Sequence, residues 1–177
     1  MRKPATKQPH QHPNNLTGEH QLGDAGQLVI AGIFALVWLL DTFVFKCTIF
    51  LNAFIPNVIR TTVGFILLFL SGYLAKSSLD IIFRDVQEKP AVIRKGPYKV
   101  IRHPMYLSEI LLYLGLISFS LSIAAAVVWI LAVGFFYYIC RYEEKLLLQR
   151  FGDDYRKYMQ EVPMWIPRVV KRQKVKE

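Results

Sequence analysis

The sequence has few cysteines and few acidic residues for its length of 177. Cys47 and Cys140 are far apart, and each lies in or beside an apolar segment, which favours two buried thiols over a disulfide or a metal site. There are 13 acidic residues against 22 lysines and arginines, while 53% of all residues are hydrophobic. A soluble domain rarely combines so apolar a composition with a net charge of +9. Because short basic stretches alternate with apolar runs, the composition predicts a small single-domain membrane protein with several spans.

The N-terminal tail, residues 1–25, has almost no large apolar side chains and contains three prolines. We expect it to be disordered. No apolar core follows Arg2 and Lys3 closely enough for a cleavable signal peptide. Nothing fixes His10, His12 and His20 relative to one another, so we do not expect a metal site there.

Two apolar segments predict the first two membrane spans. Residues 27–45 are close to the roughly 20 residues that cross a bilayer as a helix. Asp41 lies near the end of this segment, where its carboxylate can reach the interface. Residues 61–75 are fewer, but the flanking Arg60 and Lys76 have side chains long enough to extend to the interface. Both segments are therefore predicted to span.

A third apolar region runs from residue 110 to residue 140 without a charge. One helix of that length would be roughly 46 Å long, and the hydrocarbon core is about 30 Å thick. The small polar residues of Ser118–Ser122 suit a tight turn. The region therefore predicts a helical hairpin, with one helix over 106–119 and a second from Ile123 to about Arg150. A single tilted helix is the alternative.

The positive charges indicate the topology. Lysines and arginines are concentrated in residues 76–102 and in the tail from residue 150, whereas the loop after the first span has few. This bias predicts four spans with both termini and the 76–105 loop on the cytoplasmic side. Attraction to anionic headgroups accounts for the charge, and no nucleic-acid partner is expected.

Residues 94–105 and the tyrosine that follows, RKGPYKVIRHPMY, place rigid and cationic chemistry at the start of the hairpin. Gly96-Pro97 predicts a turn, and Pro104 suits the first turn of the next helix. His103 is then held extended just before a helix N-terminus, which favours the binding of an anion. The alternative is a membrane anchor without a ligand.

The predicted hairpin returns Arg141, Glu143 and Glu144 to the same side of the membrane as His103. Glu143 and Glu144 lie about 100° apart around a helix, so we expect at most one of them to point squarely at the loop. A carboxylate and a histidine that converge here suit a cationic ligand with an anionic end. The alternative is a solvated charge cluster in which Glu143 pairs with Arg141 or Lys145.

Two stretches, GPYKVIRHPMY and RYEEKLLLQRFGDDYRKYMQEVPMWIP, resemble the isoprenylcysteine carboxyl methyltransferase family and its phospholipid N-methyltransferase relatives. The resemblance covers residues 90–168. It implies an all-α integral membrane protein of about four transmembrane helices, with a cytosolic cofactor-binding loop and an amphipathic C-terminal helix. Residues 26–177 would form a single domain, with the N-terminal spans in 26–80. The implied reaction is methyl transfer from S-adenosylmethionine to a lipid or a prenylated molecule.

The resemblance also implies the residues of the site. The cofactor-binding residues would be Val92, Ile93, Tyr98, His103, Pro104, Tyr106 and Glu143, with Glu144 a weaker candidate. No metal and no general base are implied.

One position departs from the family pattern. Carboxyl-methylating members have an arginine four residues before the glutamate that corresponds to Glu143, and here that residue is Ile139. Arg141 is displaced by two residues, about 200° around the helix, and is only a weak candidate for substrate contact. The methyl acceptor stays open between a prenylcysteine carboxylate, a phospholipid headgroup and another lipid, and so does the oligomeric state. A non-catalytic lipid-binding protein with the same fold is the alternative function.

Overall fold

A computed structural model of the protein describes residues 21–85 and 91–167. These residues form five α-helices and no strand: α1 (Gln21–Leu39), α2 (Asn57–Asp85), α3 (Pro104–Ser120), α4 (Ile123–Phe151) and α5 (Asp153–Glu161). A π-helical segment, Leu40–Phe45, continues α1. The helix α1 begins inside the segment expected to be disordered, and His10, His12 and His20 lie outside the described residues.

Three stretches are long and apolar enough to cross a membrane: Ala25–Phe45, Asn57–Phe83 and Ile123–Phe151. The helix α3 is apolar but shorter, at 17 residues. Large hydrophobic side chains are exposed along these helices, among them Phe69 of α2 and Leu131 of α4. An apolar surface of this kind is stable against lipid and not against water. The predicted all-α membrane architecture is confirmed.

The hairpin is present, and the alternative of one tilted helix is wrong. The helix α3 ends at Ser120, and the next residue, Leu121, adopts a left-handed conformation with φ 48°. Ser122 then caps α4, because its side chain accepts a hydrogen bond from the Ala125 N–H at 3.1 Å. The two helices consequently run in opposite directions, and the start of α3 and the end of α4 lie at the same end of the bundle, here called the site end.

Small residues let α2 and α3 pack closely. A Cβ atom added at Gly115 of α3 would lie 3.0 Å from Leu68 Cδ2 and 3.3 Å from the Gly64 carbonyl oxygen of α2. Ser71 of α2 donates a hydrogen bond to the Ser108 carbonyl oxygen at 2.7 Å. Contacts between small residues and hydrogen bonds of this type hold membrane helices together where the hydrophobic effect cannot.

The helix α1 packs on α3 and α4 through aromatic side chains. Phe34 stacks on Tyr113 with ring centroids 4.3 Å apart. Trp38 Nε1 donates to the Leu116 carbonyl oxygen at 3.0 Å. The core of the bundle is therefore the space between α1, α3 and α4, which also contains the fully buried Phe136.

The helix α5 is amphipathic, as the resemblance implied. Tyr155 and Tyr158 are buried, whereas Asp153, Arg156 and Lys157 are exposed. The helix and the residues after it, 162–165, lie against the loop that precedes α3. This arrangement holds the loop in place at the site end.

Candidate cofactor site

The loop before α3 is ordered by its turns and by α5. Gly96 adopts φ 50° at the start of a 3₁₀ turn, Gly96–Lys99, which Pro97 favours by its fixed φ. The Tyr98 carbonyl oxygen accepts a hydrogen bond from the Tyr158 hydroxyl at 2.7 Å. Burial raises the pKa of Tyr158, so the phenol keeps the proton that it donates.

An arginine that sequence reasoning did not single out attaches the loop to α5. Arg94 Nη1 lies 3.1 Å from Glu161 Oε2, and Arg94 Nη2 donates to the Asp154 carbonyl oxygen at 2.9 Å. The guanidinium also lies 5.5 Å from the centre of the Tyr158 ring. The pair with Glu161 is exposed and contributes little, but together the three contacts set the position of the loop on α5.

His103 lies where the sequence predicts it, immediately before α3 and with its side chain buried. Pro104 is the first residue of α3, and no side chain caps the helix. The His103 N–H donates to the Met164 carbonyl oxygen at 3.2 Å, and the Arg102 N–H donates to that of Pro163 at 2.9 Å. The segment after α5 therefore pairs with the backbone on the N-terminal side of α3 and fixes His103 against the bundle.

Both glutamates of α4 reach His103, and the expectation that at most one would do so is wrong. His103 Nδ1 lies 3.6 Å from Glu143 Oε2, and Nε2 lies 3.3 Å from Glu144 Oε1. The imidazole enters between the two side chains and presents one nitrogen to each. Glu143 and Glu144 can therefore both contact His103, although they lie about 100° apart around the helix.

Glu144 forms ion pairs with two arginines. Its side chain is 2% exposed, and its Oε1 lies 2.7 Å from Arg102 Nη2. Arg102 Nη1 also donates to the carbonyl oxygens of Met159 and Val162, at 2.8 and 2.7 Å. The second oxygen of Glu144 lies 3.0 Å from Arg141 Nη1. A carboxylate in this environment holds the loop, α4 and the C-terminal segment together.

Glu143 is placed differently. Its Oε1 accepts a hydrogen bond from the Tyr106 hydroxyl, and its side chain is 13% exposed. The ring of Tyr106 lies 6.0 Å from that of His103 and 5.7 Å from that of Phe136. His103, Tyr106 and Glu143 therefore form one cluster at the site end, beside aromatic surfaces. A carboxylate in this position suits a cationic ligand.

The other predicted residues lie around this cluster in different ways. Pro104 is fully buried, and Ile93 is half-buried in the loop. Val92 packs against the buried cluster of Tyr155, Tyr158 and Val162. The structure therefore places the side chain of Val92 with α5, whereas Tyr98 contacts α5 through its carbonyl oxygen.

The position that departs from the family pattern is buried. Ile139 is 7% exposed and belongs to the core between α1, α3 and α4. Arg141 has a side chain that is 51% exposed, and it pairs with Glu144. No arginine takes the place of Ile139 among the described residues.

The sequence predicts no role for Arg102, although it is the principal partner of Glu144. Its position next to His103 was the available signal. The backbone pairing with Pro163 and Met164 that turns its side chain toward α4 joins residues about 60 positions apart in the chain and has no sequence pattern.

A wide groove of about 670 Å³ lies at the opposite end of the bundle from this cluster. It is lined by Trp38, Thr42, Phe43, Lys46, Ile49, Asn52, Phe65, Leu68, Leu116, Phe119 and Ser120. None of the predicted site residues belongs to it. The cluster at the site end and this groove are therefore in separate parts of the molecule.

Comparison with known proteins shows similarity to a protein family and to an individual enzyme. A family model described as phospholipid methyltransferase matches residues 58–154, more than half of the chain. The matched range contains His103, Tyr106 and Glu143. A methanethiol S-methyltransferase of Pseudomonas sp. (strain GM41(2012)) is 29% identical over 93 residues, which are 52% of this chain and 35% of that protein. The chain thus matches about a third of the length of this relative.

Proposed function

The chain belongs to the phospholipid methyltransferase family, and from this we propose that it transfers a methyl group from S-adenosylmethionine to a lipophilic acceptor at the membrane surface. The observation that carries the proposal is the convergence of His103, Tyr106 and Glu143 at the site end. Two parts of the chain that are distant in sequence, residues 103–106 at the start of α3 and Glu143 on α4, contribute to this one cluster.

The residues present fit this methyl donor. S-adenosylmethionine has a carboxylate at one end and carries both an ammonium and a sulfonium group. The start of α3 has no side-chain cap, and the first N–H groups of a helix attract an anion. Glu143 and the ring of Tyr106 favour the cationic groups. Opposite charges on the ligand are therefore matched by an uncapped helix end and a carboxylate that lie side by side.

When bound, the donor supplies an electrophilic methyl group. The contribution of the chain is to hold the donor and the acceptor in line, since such transfer requires the nucleophile, methyl carbon and sulfur to be collinear. Arg102, Glu144 and the segment 162–165 fix the position of His103. Rigid support of this kind keeps the donor pocket in its binding geometry without the ligand.

The acceptor enters from the membrane, because the cluster lies at the mouth of an apolar hairpin. We propose that it is not a prenylcysteine carboxylate. A carboxylate brought beside Ile139 and Glu143 would have no cation to pair with, and burial of an unpaired charge is costly. Arg141 is engaged with Glu144. An amine headgroup or another proton-bearing lipophile fits these surroundings better.

We also propose that the site end faces the cytoplasm. The loop before α3 and the end of α4 carry Arg94, Lys95, Lys99, Arg102 and Arg141, whereas among the described residues only Lys46 and Arg60 are cations near the opposite end. An excess of lysine and arginine on one side supports a cytoplasmic orientation of that side.

The test is a transfer experiment with S-adenosylmethionine labelled on its methyl group. Purified protein is incubated with the donor and a membrane lipid extract, and the labelled product is identified by chromatography and mass spectrometry. We expect label in a lipid with the wild-type protein and none above background with Glu143→Ala. Absence of a labelled product with the folded wild-type protein would contradict the proposal.

A further inference from the structure

Among the described residues, five buried side-chain atoms have no hydrogen-bond partner: Thr42 Oγ1, Arg60 Nε, Glu109 Oε2, the Tyr113 hydroxyl oxygen and Trp165 Nε1. Two of these atoms, on Glu109 and Tyr113, belong to α3. The two residues are four positions apart, so they lie one above the other on the same face of the helix. An ionisable residue inside a membrane helix is costly unless it is paired, and it usually marks a functional site.

The surroundings of Tyr113 are aromatic. The ring of Tyr113 stacks on Phe34 of α1 at 4.3 Å and lies 6.3 Å from Phe136 of α4. Within residues 21–85 and 91–167, no ion pair includes Glu109. At the site end, Arg102 and Arg141 both pair with Glu144, and Arg94 pairs with Glu161. Among the described residues, Oε2 of the Glu109 carboxylate therefore has no partner that would explain its presence.

The pair adjoins the candidate cofactor site. Glu109 follows Tyr106 by three residues on α3, which places it about 4.5 Å deeper in the membrane and on a neighbouring face. Phe136 lies against Tyr113 and also against Tyr106, whose hydroxyl bonds to Glu143. Phe136 therefore packs against both Tyr106 of the donor cluster and Tyr113 of the unpartnered pair.

We propose that Glu109 and Tyr113 bind the reactive head of the methyl acceptor and that Glu109 takes the proton that this head loses. The inference rests on the proposed methyl transfer and specifies its substrate class: a lipophilic amine or thiol, which must shed a proton. A carboxylate acceptor carries no such proton, and Glu109 would repel it.

The proposed step is balanced. The lone pair of the acceptor nitrogen or sulfur forms a bond to the methyl carbon, and the carbon–sulfur bond of the sulfonium breaks with its electron pair left on sulfur. The proton of the nucleophile passes to Glu109, and the neutral thioether leaves. Tyr113 donates a hydrogen bond that orients either the acceptor or the carboxylate.

The experiment compares Glu109→Gln and Tyr113→Phe with two matched controls. Asp80→Asn and Tyr73→Phe make the same chemical changes at exposed positions of α2. Turnover is measured with phosphatidylethanolamine, a long-chain alkanethiol and a farnesylated cysteine, and donor affinity is measured by calorimetry. A second readout does not depend on turnover. The affinity of the donor-free protein for a fluorescent long-chain alkylamine is compared with its affinity for the alcohol of the same length.

We expect the wild type to methylate either phosphatidylethanolamine or the alkanethiol. The substrate that is methylated shows whether the reactive head of the acceptor is an amine or a thiol. Glu109→Gln should lower kcat about 100-fold or more, the usual range for loss of a proton acceptor, and abolish the preference for the alkylamine. Tyr113→Phe should have a smaller effect in the same direction. Both variants should keep the donor affinity within about twofold of the controls, in line with the small effects of surface changes.

Three results would overturn the inference. Wild-type turnover in Glu109→Gln would remove its chemical role, and a joint loss of donor binding and turnover would make Glu109 structural. A wild-type protein that methylates only the farnesylated cysteine, equally well as Glu109→Gln, would contradict the inference while supporting methyl transfer itself. A wild-type protein that transfers no methyl group would overturn the proposed function first.

Discussion

Arg102 and Glu144 form a buried ion pair, with Nη2 and Oε1 2.7 Å apart, between the loop before α3 and the helix α4. Their side chains are 9% and 2% exposed. The same guanidinium donates to two carbonyl oxygens at the end of α5. The pair thus joins three parts of the chain at the site end, and it explains why the two adjacent glutamates of α4 have different roles.

The variant Arg102→Ala leaves Glu144 buried with only the half-exposed Arg141 and His103 beside it. We expect it to destabilise the protein by about 3 kcal/mol, since loss of one partner leaves a buried charge uncompensated. Thermal unfolding in detergent measures the effect. Arg156→Ala is the control, because its pair with Asp153 is exposed and 3.9 Å long. Equal melting temperatures for the two variants would contradict the structural role of the buried pair.

The contact between α2 and α3 depends on Gly115. We expect Gly115→Val to lower stability by about 1–3 kcal/mol, because the added atoms meet Leu68 and the Gly64 backbone and force the helices apart. Gly134→Val on α4 makes the same change where no atom lies within 4 Å of an added Cβ. Thermal unfolding of both variants in detergent separates crowding from the intrinsic cost of valine in a helix. A greater loss of stability for Gly134→Val than for Gly115→Val would contradict the close packing of α2 against α3.

Asp41 joins the end of the first span to the start of α4. Its carboxylate accepts hydrogen bonds from the Thr48 N–H at 3.0 Å and from the hydroxyls of Thr48 and Ser122, each at 2.5 Å. We expect Asp41→Ala to cost about 2 kcal/mol or more, because buried donors lose a charged acceptor. The measurement is the melting temperature, with the exposed Asp80→Ala as the control. An Asp41→Ala protein as stable as this control would show that the cluster contributes nothing.

The hairpin predicts that its turn and the C-terminus lie on opposite sides of the membrane. Reporter domains are inserted at Leu121 in the turn and fused after residue 177. We expect the C-terminal fusion to report the cytoplasm and the insertion to report the other side, as the distribution of basic residues indicates. Two reporters on the same side would contradict the topology and, with it, the access of a lipid to the site.

The sequence predicted the hairpin well because its evidence is local. The charge-free run from Ile110 was too long for one span, and the serines marked the turn that Leu121 and Ser122 form. The second span was predicted too short. Its boundaries were set at Arg60 and Lys76, but α2 begins at Asn57 and includes both cations. Arg60 remains in the helix because it donates to the Phe119 carbonyl oxygen at 2.7 Å, a contact that depends on tertiary packing.

The sequence predicted only part of the site, because only part of the evidence for it is local in the chain. Motif positions brought His103, Tyr106 and Glu143 to one end of the bundle, where the structure also has them together. The role of Arg102 and the contact of both glutamates with His103 depend on the segment 162–165, which returns to pair with residues before α3. The unpartnered atoms of Glu109 and Tyr113 have no sequence signature, because burial without a partner is a property of the folded bundle.

The most direct test of the central claim, that His103, Tyr106 and Glu143 bind the methyl donor, is calorimetric titration of the purified protein with S-adenosylmethionine in detergent. His103→Ala and Glu143→Ala are compared with the wild type and with Asp153→Asn, a change at an exposed residue of α5. We predict saturable binding to the wild type and the control and at least a tenfold weaker affinity in both site variants, a loss of about 1.4 kcal/mol each. Wild-type affinity in both His103→Ala and Glu143→Ala would contradict the site.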